Sequence, residues 1–252
     1  MSTEFLYGWH PVIEALRAGR RQLRRLYLAE RLENSPMRQQ VVGSAEAHGL
    51  RVEERPRSWL AGRAKDANTQ GVLLEVGDYP YHDWADLIDL AVSRQEPPFM
   101  LVLDLLQDVQ NVGTLLRTAE AVGVHGVIIQ ERRAASITPA VVSASSGASE
   151  HLLVAQVTNI ARTIADMKEA DVWFAGLEFS PETVRFDQAN LSGGLGLVVG
   201  SEGKGLRRLV RESCDFLVHL PMRGQIESLN AATAGSVMLY AAWQARGFSG
   251  TG

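Results

Sequence analysis

Residues 99–130, FMLVLDLLQDVQNVGTLLRTAEAVGVHGVIIQ, decide the fold. The run MLVLDLL is apolar but for Asp104 and has the length of a strand, the pattern of a strand covered on both faces. Gly113–Gly123 then spaces its apolar residues as a helix does, and GVIIQ (126–130) is a second apolar strand. The alternation continues downstream. It predicts a helix over Pro139–Ser146, a strand over Val154–Val157 and a helix over Ile160–Glu169. VWFAGL (172–177) and LGLVVG (195–200) follow as strands, Leu206–Cys214 as a helix, DFLVHLP (215–221) as a strand and Asn230–Gln244 as a long last helix. Near-continuous apolar strands separated by amphipathic helices predict an α/β domain with a parallel sheet.

Upstream, residues 1–78 read as a small α/β unit. Helices are expected over His10–Ala18, with Gly19 as its stop, over Pro36–Gly49 and over Trp59–Ala67. Strands are expected over Leu26–Ala29, Val52–Glu54 and Val72–Val76. Residues 79–98 open on Tyr79-Pro80-Tyr81 and close on Glu96-Pro97-Pro98, with a helix over Trp84–Ser93 between. Paired prolines continue neither a helix nor a central strand, so 79–98 is read as a linker to a domain spanning 99–252.

The 252 residues, 46% hydrophobic and 21% charged, are ordinary for a globular chain. One cysteine, Cys214, excludes an intrachain disulfide and a cysteine-based zinc site. Six scattered histidines show no metal-ligand spacing, so no metal is expected. No apolar run reaches the ~18 residues of a membrane span, and the first residues lack the pattern of a signal peptide. A cytoplasmic protein is expected. The net charge of −4 argues against a general nucleic-acid coat protein. Charge is uneven, however: residues 1–78 carry 12 Arg/Lys against 10 Asp/Glu, a net +2, leaving −6 elsewhere. Eleven of the twelve cations are arginine, the side chain suited to forked phosphate contacts. Five cluster at Arg17, Arg20, Arg21, Arg24 and Arg25. A solvated face is the plain reading of such a run, and phosphate binding the functional one.

Three segments place small or polar residues where an apolar strand gives way to a loop or helix. In DVQNVGTLLR (108–117), Asn111 can cap a helix that carries Arg117 two turns on. A capped helix with a surface arginine explains this equally well. GSEGKG (200–205) has glycines at 200, 203 and 205 that let a backbone pass close to a ligand, or simply make a turn. It is neither a Walker A loop nor a dinucleotide loop, because Lys204 is followed by Gly205 and the spacing is wrong for G-x-G-x-x-G. PMRGQIESLN (221–230) brings Ser228 or Asn230 to the start of a helix whose Ala231, Ala232, Ala234 and Gly235 permit close backbone approach. Cys214 reads as buried and inert.

Together, N-V-G-x-x-x-R, the strand followed by Gly-x-Glu-Gly, and Ser-Leu-Asn resemble the three motifs of the SpoU (TrmH) family of RNA ribose 2′-O-methyltransferases. YGWHPVIEALRAG (7–19) resembles the start of that family's N-terminal RNA-recruiting domain of ribosomal-protein type. The family's His-Gln-Gly appears here as Thr69-Gln70-Gly71. The resemblance implies a C-terminal parallel-sheet domain with a deep trefoil knot (the SPOUT fold), S-adenosylmethionine as cofactor, RNA as substrate and a homodimer formed through the knotted domain. It implies catalytic roles for Arg117, Asn111, Glu202, Ser228 and Asn230. Gly200, Leu220 and Leu229 would meet the cofactor, and the arginines of 17–25 would meet RNA. The branch it is most similar to methylates a guanosine of large-subunit ribosomal RNA, with transfer RNA as the alternative substrate. A base methylase on the same fold, a non-catalytic RNA-binding protein and a small-molecule O-methyltransferase are the remaining readings. The Asn111/Arg117 pair with Ser228-Leu229-Asn230 speaks against the first, and intact Arg117, Glu202 and Asn230 against the second. The third would leave the N-terminal domain with nothing to do.

Overall fold

The structure is a computed structural model. It describes residues 3–250 except Glu202, Lys204 and Glu227. In chain order the first elements are β1 (Glu4–Tyr7), α1 (Trp9–Ala18), β2 (Leu23–Ala29), α2 (Pro36–Ala47), β3 (Arg51–Arg55), α3 (Arg57–Arg63) and β4 (Val72–Val76). Then come α4 (Trp84–Arg94), β5 (Phe99–Asp104), α5 (Val109–Ala121), β6 (Gly126–Gln130) and α6 (Pro139–Ala144). The remainder is β7 (Val154–Val157), α7 (Ile160–Lys168), β8 (Trp173–Leu177), β9 (Val184–Arg185), β10 (Leu195–Gly200), α8 (Arg208–Ser213), β11 (Phe216–His219) and α9 (Ala231–Ala245). The chain divides into two compact units, one of residues 1–80 with 137–151, the other of 81–136 with 152–252.

In the N-terminal unit four strands lie in the order β1-β4-β2-β3. β4 is antiparallel to both neighbours, and β2 pairs parallel with β3. Helix α1 buries Pro11, Val12, Ile13, Ala15 and Leu16 and stops at Gly19, whose φ of 59° is the left-handed conformation that glycine adopts without a Cβ penalty. Gln70 ties the two ends of this unit's motif together, its Oε1 accepting from the Trp9 N–H at 3.3 Å. The arginine run does not form one helical face. Gly19 ends α1, and β2 carries Arg24 and Arg25. Arg21 is buried (4% exposed) and donates to both Glu150 oxygens at 2.9–3.1 Å and to Glu4 at 2.6 Å. Glu150 itself is 1% exposed. Arg21 therefore does not face solvent as the run suggested, and it fastens residues 137–151 into this unit.

The C-terminal unit has a seven-stranded sheet, β7-β6-β5-β10-β8-β11-β9, in which every pair is parallel. A sheet covered by helices needs apolar residues at successive strand positions, and β5 and β10 are buried along their whole length. α4 within the expected linker is part of this core. A capping box of Asp83 and Asp86 starts it, and Leu87 packs so closely on β6 that a Cβ at Gly126 would lie 2.1 Å from Leu87 Cγ. No helix among the described residues is long and apolar enough to cross a membrane.

Candidate active site

Parallel strands end together, so the loops after β10, β8 and β11 open on one edge of the sheet. There they line a cleft of about 580 Å³. Its wall includes Leu177, Val199, Gly200, Leu220, Ser228, Leu229 and Asn230. The size and the mixed wall of aliphatic side chains and polar groups suit a small ligand with apolar and polar parts. Of the residues singled out from sequence, Gly200, Leu220, Leu229, Ser228 and Asn230 border this cleft. Glu202 lies outside the described residues.

Gly200 ends β10 and has no room for a side chain. A Cβ there would lie 2.3 Å from the Gly205 carbonyl carbon and 2.6 Å from the Leu206 nitrogen. The following loop folds back on itself, Ser201 N–H donating to Gly205 O at 3.2 Å and Gly205 N–H to Ser201 O at 3.0 Å. Gly203 and Gly205 supply φ of 74° and 62° for that reversal. The first demand on Gly200 is thus the loop's own return.

A residue that the sequence reading passed over anchors the far end of this loop. Asp104 closes β5, opposite Gly200 in register, and is fully buried. It accepts from the Arg207 N–H at 2.8 Å and from Arg207 Nε at 2.7 Å. The signal available in sequence was a lone carboxylate ending an otherwise apolar strand. Buried charges are kept only where paired, so a partner was required.

The helix carrying Arg117 starts earlier than expected. Asp108, not Asn111, is its cap, accepting from the Asn111 N–H at 2.8 Å. A short carboxylate before the first turn outcompetes an amide inside it. Asn111 is buried within the first turn, and its side chain reaches across to α9, where Oδ1 accepts from Asn230 Nδ2 at 3.0 Å. Asn230 in turn caps α9, its Oδ1 accepting from Ala232 N–H at 2.9 Å and Thr233 N–H at 3.2 Å. Farther along, Thr118 Oγ1 lies 2.8 Å from Ser236 Oγ, and a Cβ at Gly235 would come within 2.6 Å of Leu115 Cδ2. These contacts advance in step along both helices, so α5 and α9 run side by side in the same direction. Their N-termini meet at the Asn111–Asn230 bond. Each helix start carries roughly half a positive charge, so the pair favours negative charge beside it. Arg117 is exposed on α5. Neither Arg117 nor Asn111 is part of the cleft wall.

His219, one of the six scattered histidines, also borders the cleft. Its Nδ1 lies 2.8 Å from Thr183 Oγ1, and Phe179 meets its ring edge-on at 5.4 Å. Cys214 is half-buried rather than buried; desolvation pushes its thiol up to about 12, and Sγ donates to Val210 O. No group of His, Cys, Asp and Glu among the described residues is arranged to hold a metal ion.

A glycine loop at the ends of parallel strands, beside two neighbouring helix starts, is a place where such sheets bind small ligands. Comparison with known proteins gives the class. Residues 98–240 match the SpoU rRNA methylase family, and residues 5–82 match the family described as RNA 2′-O ribose methyltransferase substrate binding. The chain belongs to the SpoU rRNA methylase family. It is 42% identical over 245 residues to the putative TrmH family tRNA/rRNA methyltransferase YacO of Bacillus subtilis (strain 168), covering 96% of each chain. It is 35% identical over 247 residues to a putative TrmH family tRNA/rRNA methyltransferase of Staphylococcus saprophyticus, covering 97% of each. Its fold is shared with the SpoU methyltransferase AviRb from Streptomyces viridochromogenes, solved in complex with AdoMet (TM-score 0.79, 22% identity, 98% of this chain and 92% of that one). The protein is a methyltransferase of the TrmH/SpoU family.

Proposed function

We propose that this protein transfers a methyl group from S-adenosylmethionine to a ribose 2′-hydroxyl of RNA, at a guanosine of large-subunit (23S) ribosomal RNA. The observation that carries the reading is the Asn111–Asn230 hydrogen bond, which joins two parallel helix starts beside the strand-end cleft. The cleft would hold the cofactor, with Gly200, Leu220 and Leu229 against it. The cofactor supplies a methyl group on sulfur that is already electrophilic, so the protein's part is to orient and activate the hydroxyl. Arg117 stabilises the charge that develops on the 2′-oxygen and holds the neighbouring phosphate, the interaction its fork serves best. Asn111 and Asn230 fix the helix starts around that point, Ser228 completes the rim, and Glu202 belongs to the same loop as Gly200.

The N-terminal domain, taken as residues 1–78 and followed by 79–98 and 99–252, recruits RNA. Among its arginine cluster, Arg17, Arg20, Arg24 and Arg25, exposed or half-buried, are the RNA-facing members, since Arg21 is buried against Glu150 and Glu4. The methyltransferase domain closes a trefoil knot around the Ser-Leu-Asn segment and pairs with a second copy, and the protein acts in the cytoplasm. Transfer RNA is the second substrate reading, favoured by relatives named tRNA/rRNA methyltransferases.

The test is tritiated-methyl transfer from S-adenosylmethionine to unmodified ribosomal RNA and, separately, to transfer RNA, with nucleoside analysis of the product. Labelled 2′-O-methylguanosine in the ribosomal sample is expected. Label confined to transfer RNA would change the substrate, and failure to bind the cofactor would favour a non-catalytic RNA-binding protein.

A further inference from the structure

The C-terminal unit carries 13 Arg/Lys against 18 Asp/Glu, a net −5. Such a surface repels a polyanion unless the polyanion meets a local strip of opposite sign. The cations are distributed in a way that makes one. Arg117 stands on α5, Arg132 and Arg133 on the loop after β6, and Arg207 and Arg208 after the β10 loop. β6, β5 and β10 are consecutive in a parallel sheet, so all three connections open on one edge.

The loop after β6 is built rather than loose. Gln107 Nε2 donates to Arg133 O at 2.9 Å, and Ala135 N–H donates to Leu106 O at 2.9 Å. Glu131 N–H donates to Val157 O at 2.9 Å. The first two clasp it to the connection between β5 and α5, the segment that continues into Asp108 and Asn111, and the third to the end of β7. Both clasped corners adopt the left-handed conformation without glycine, Leu105 at φ 56° and Arg133 at φ 63°. Such residues persist where the surroundings over-determine them.

Arg132 and Arg133 are exposed and make no ion pair among the described residues. Arg207 is tied to Asp104, Arg208 to Glu212 and Arg211 to Glu178 and Glu182. Glu131 is exposed on the same loop and offsets one of the two charges.

We propose that the Glu131–Ser136 loop, through Arg132 and Arg133, grips the phosphodiester backbone of the RNA strand on the β6 side of Arg117. The strand then runs over the ends of β5 and β6, while the cofactor cleft lies at the ends of β10, β8 and β11. The proposal rests on the RNA-methylating function proposed above and adds to it the residues that set the strand's path. Paired forked cations on a rigid loop match phosphate oxygens better than they match any one base, so the contact is sequence-independent.

The experiment uses the full chain and compares wild type with the double variant Arg132→Gln/Arg133→Gln. RNA affinity for a ribosomal RNA fragment is measured from 50 to 200 mM salt, along with the RNA KM in methyl transfer. The salt slope of log K should fall by about 0.7–0.9 for each phosphate that is no longer neutralised, so by roughly 1.5 for the pair. The RNA KM should rise by roughly tenfold or more. Calorimetric S-adenosylmethionine affinity checks that the variant is folded and should match wild type. Arg162→Gln, which removes an exposed charge on α7, controls for net charge and should leave the slope in place. An unchanged slope in the double variant, or an equal fall in the control, overturns the proposal. If the wild type methylates RNA while that happens, only this proposal falls. If the wild type binds no RNA and binds an acidic protein instead, the function proposed above falls with it.

Discussion

In the N-terminal unit Arg21 is buried against Glu150 and Glu4; in the C-terminal unit Asn111 is buried against Asn230. The Arg21–Glu150 and Asn111–Asn230 ties each span more than a hundred residues of chain, and both join segments that no local pattern links. They differ in charge and in surroundings. The first is an ion pair sealed from water, with the Tyr79 ring 4.9 Å from the Arg21 guanidinium and the Tyr79 hydroxyl donating to Ser149 O at 2.9 Å. The second is a neutral amide pair at the rim of a cleft, where Asn230 is part of the wall. A buried charge pair holds parts together, and losing one member strands the other. A neutral pair beside two helix starts orients groups without neutralising their positive ends. The Arg21–Glu150 tie holds its unit together, and the Asn111–Asn230 tie borders the candidate site.

This contrast is most vulnerable at Glu150. Glu150→Ala leaves Arg21 buried with only Glu4, and should destabilise the N-terminal unit by roughly 3–5 kcal/mol. Urea unfolding would read this as a lowered midpoint for that unit, with cofactor binding retained. An unchanged midpoint would show that the ion pair is ornamental. A smaller stability effect and a larger functional one are expected at Asn230. Asn230→Ala removes the α9 cap, worth about 1 kcal/mol. It also takes away the donor that holds Asn111 Oδ1, so methyl transfer should fall well beyond the loss of fold. A fall in proportion to stability alone would make Asn230 scaffold after all.

The smallest expected effect lies away from both ties. His125 is buried in the C-terminal unit, its Nδ1 accepting from the Phe99 N–H at 3.0 Å and its Nε2 lying 3.0 Å from Glu96 Oε2. Burial lowers its pKa below the ordinary 6.5, despite Glu96. Protonation would also make Nδ1 a donor facing the Phe99 N–H, at the loss of that hydrogen bond. The unfolded chain therefore binds this proton more readily than the folded one. The contribution is fully present above about pH 6.5 and is lost as pH falls toward the depressed folded value. Thermal midpoints taken from pH 7.5 to 5 should drop in wild type, and less in His125→Gln; equal drops would assign the effect elsewhere.

Much of the C-terminal sheet was legible because fully buried parallel strands read as unbroken apolar runs, and LGLVVG and MLVLD are of that kind. β1 and β9 were not, being four and two residues long with no periodic pattern of their own. The three motif segments were legible as strand-to-helix junctions. What each polar side chain does there was not. Asn111 read as a cap because caps are local, whereas its actual bond is to a residue 119 positions away. Arg21 looked like one member of a solvated cluster for the same reason, since its partner Glu150 is 129 positions away. Asp104 carried a signal, a lone charge closing an apolar strand, but only the fold could name Arg207 as its partner.

If the joined helix starts and Arg117 form a methyl-transfer centre, the chemical step must depend on Arg117 while cofactor binding does not. Single-turnover transfer from S-adenosylmethionine to ribosomal RNA, by wild type and Arg117→Ala at saturating cofactor, separates the two, with cofactor affinity measured on both proteins. Equal cofactor affinity is expected, with a rate lowered by about 10²–10³ in the variant, the scale of losing one preorganised charge-stabilising donor. Full-rate transfer by Arg117→Ala would contradict it.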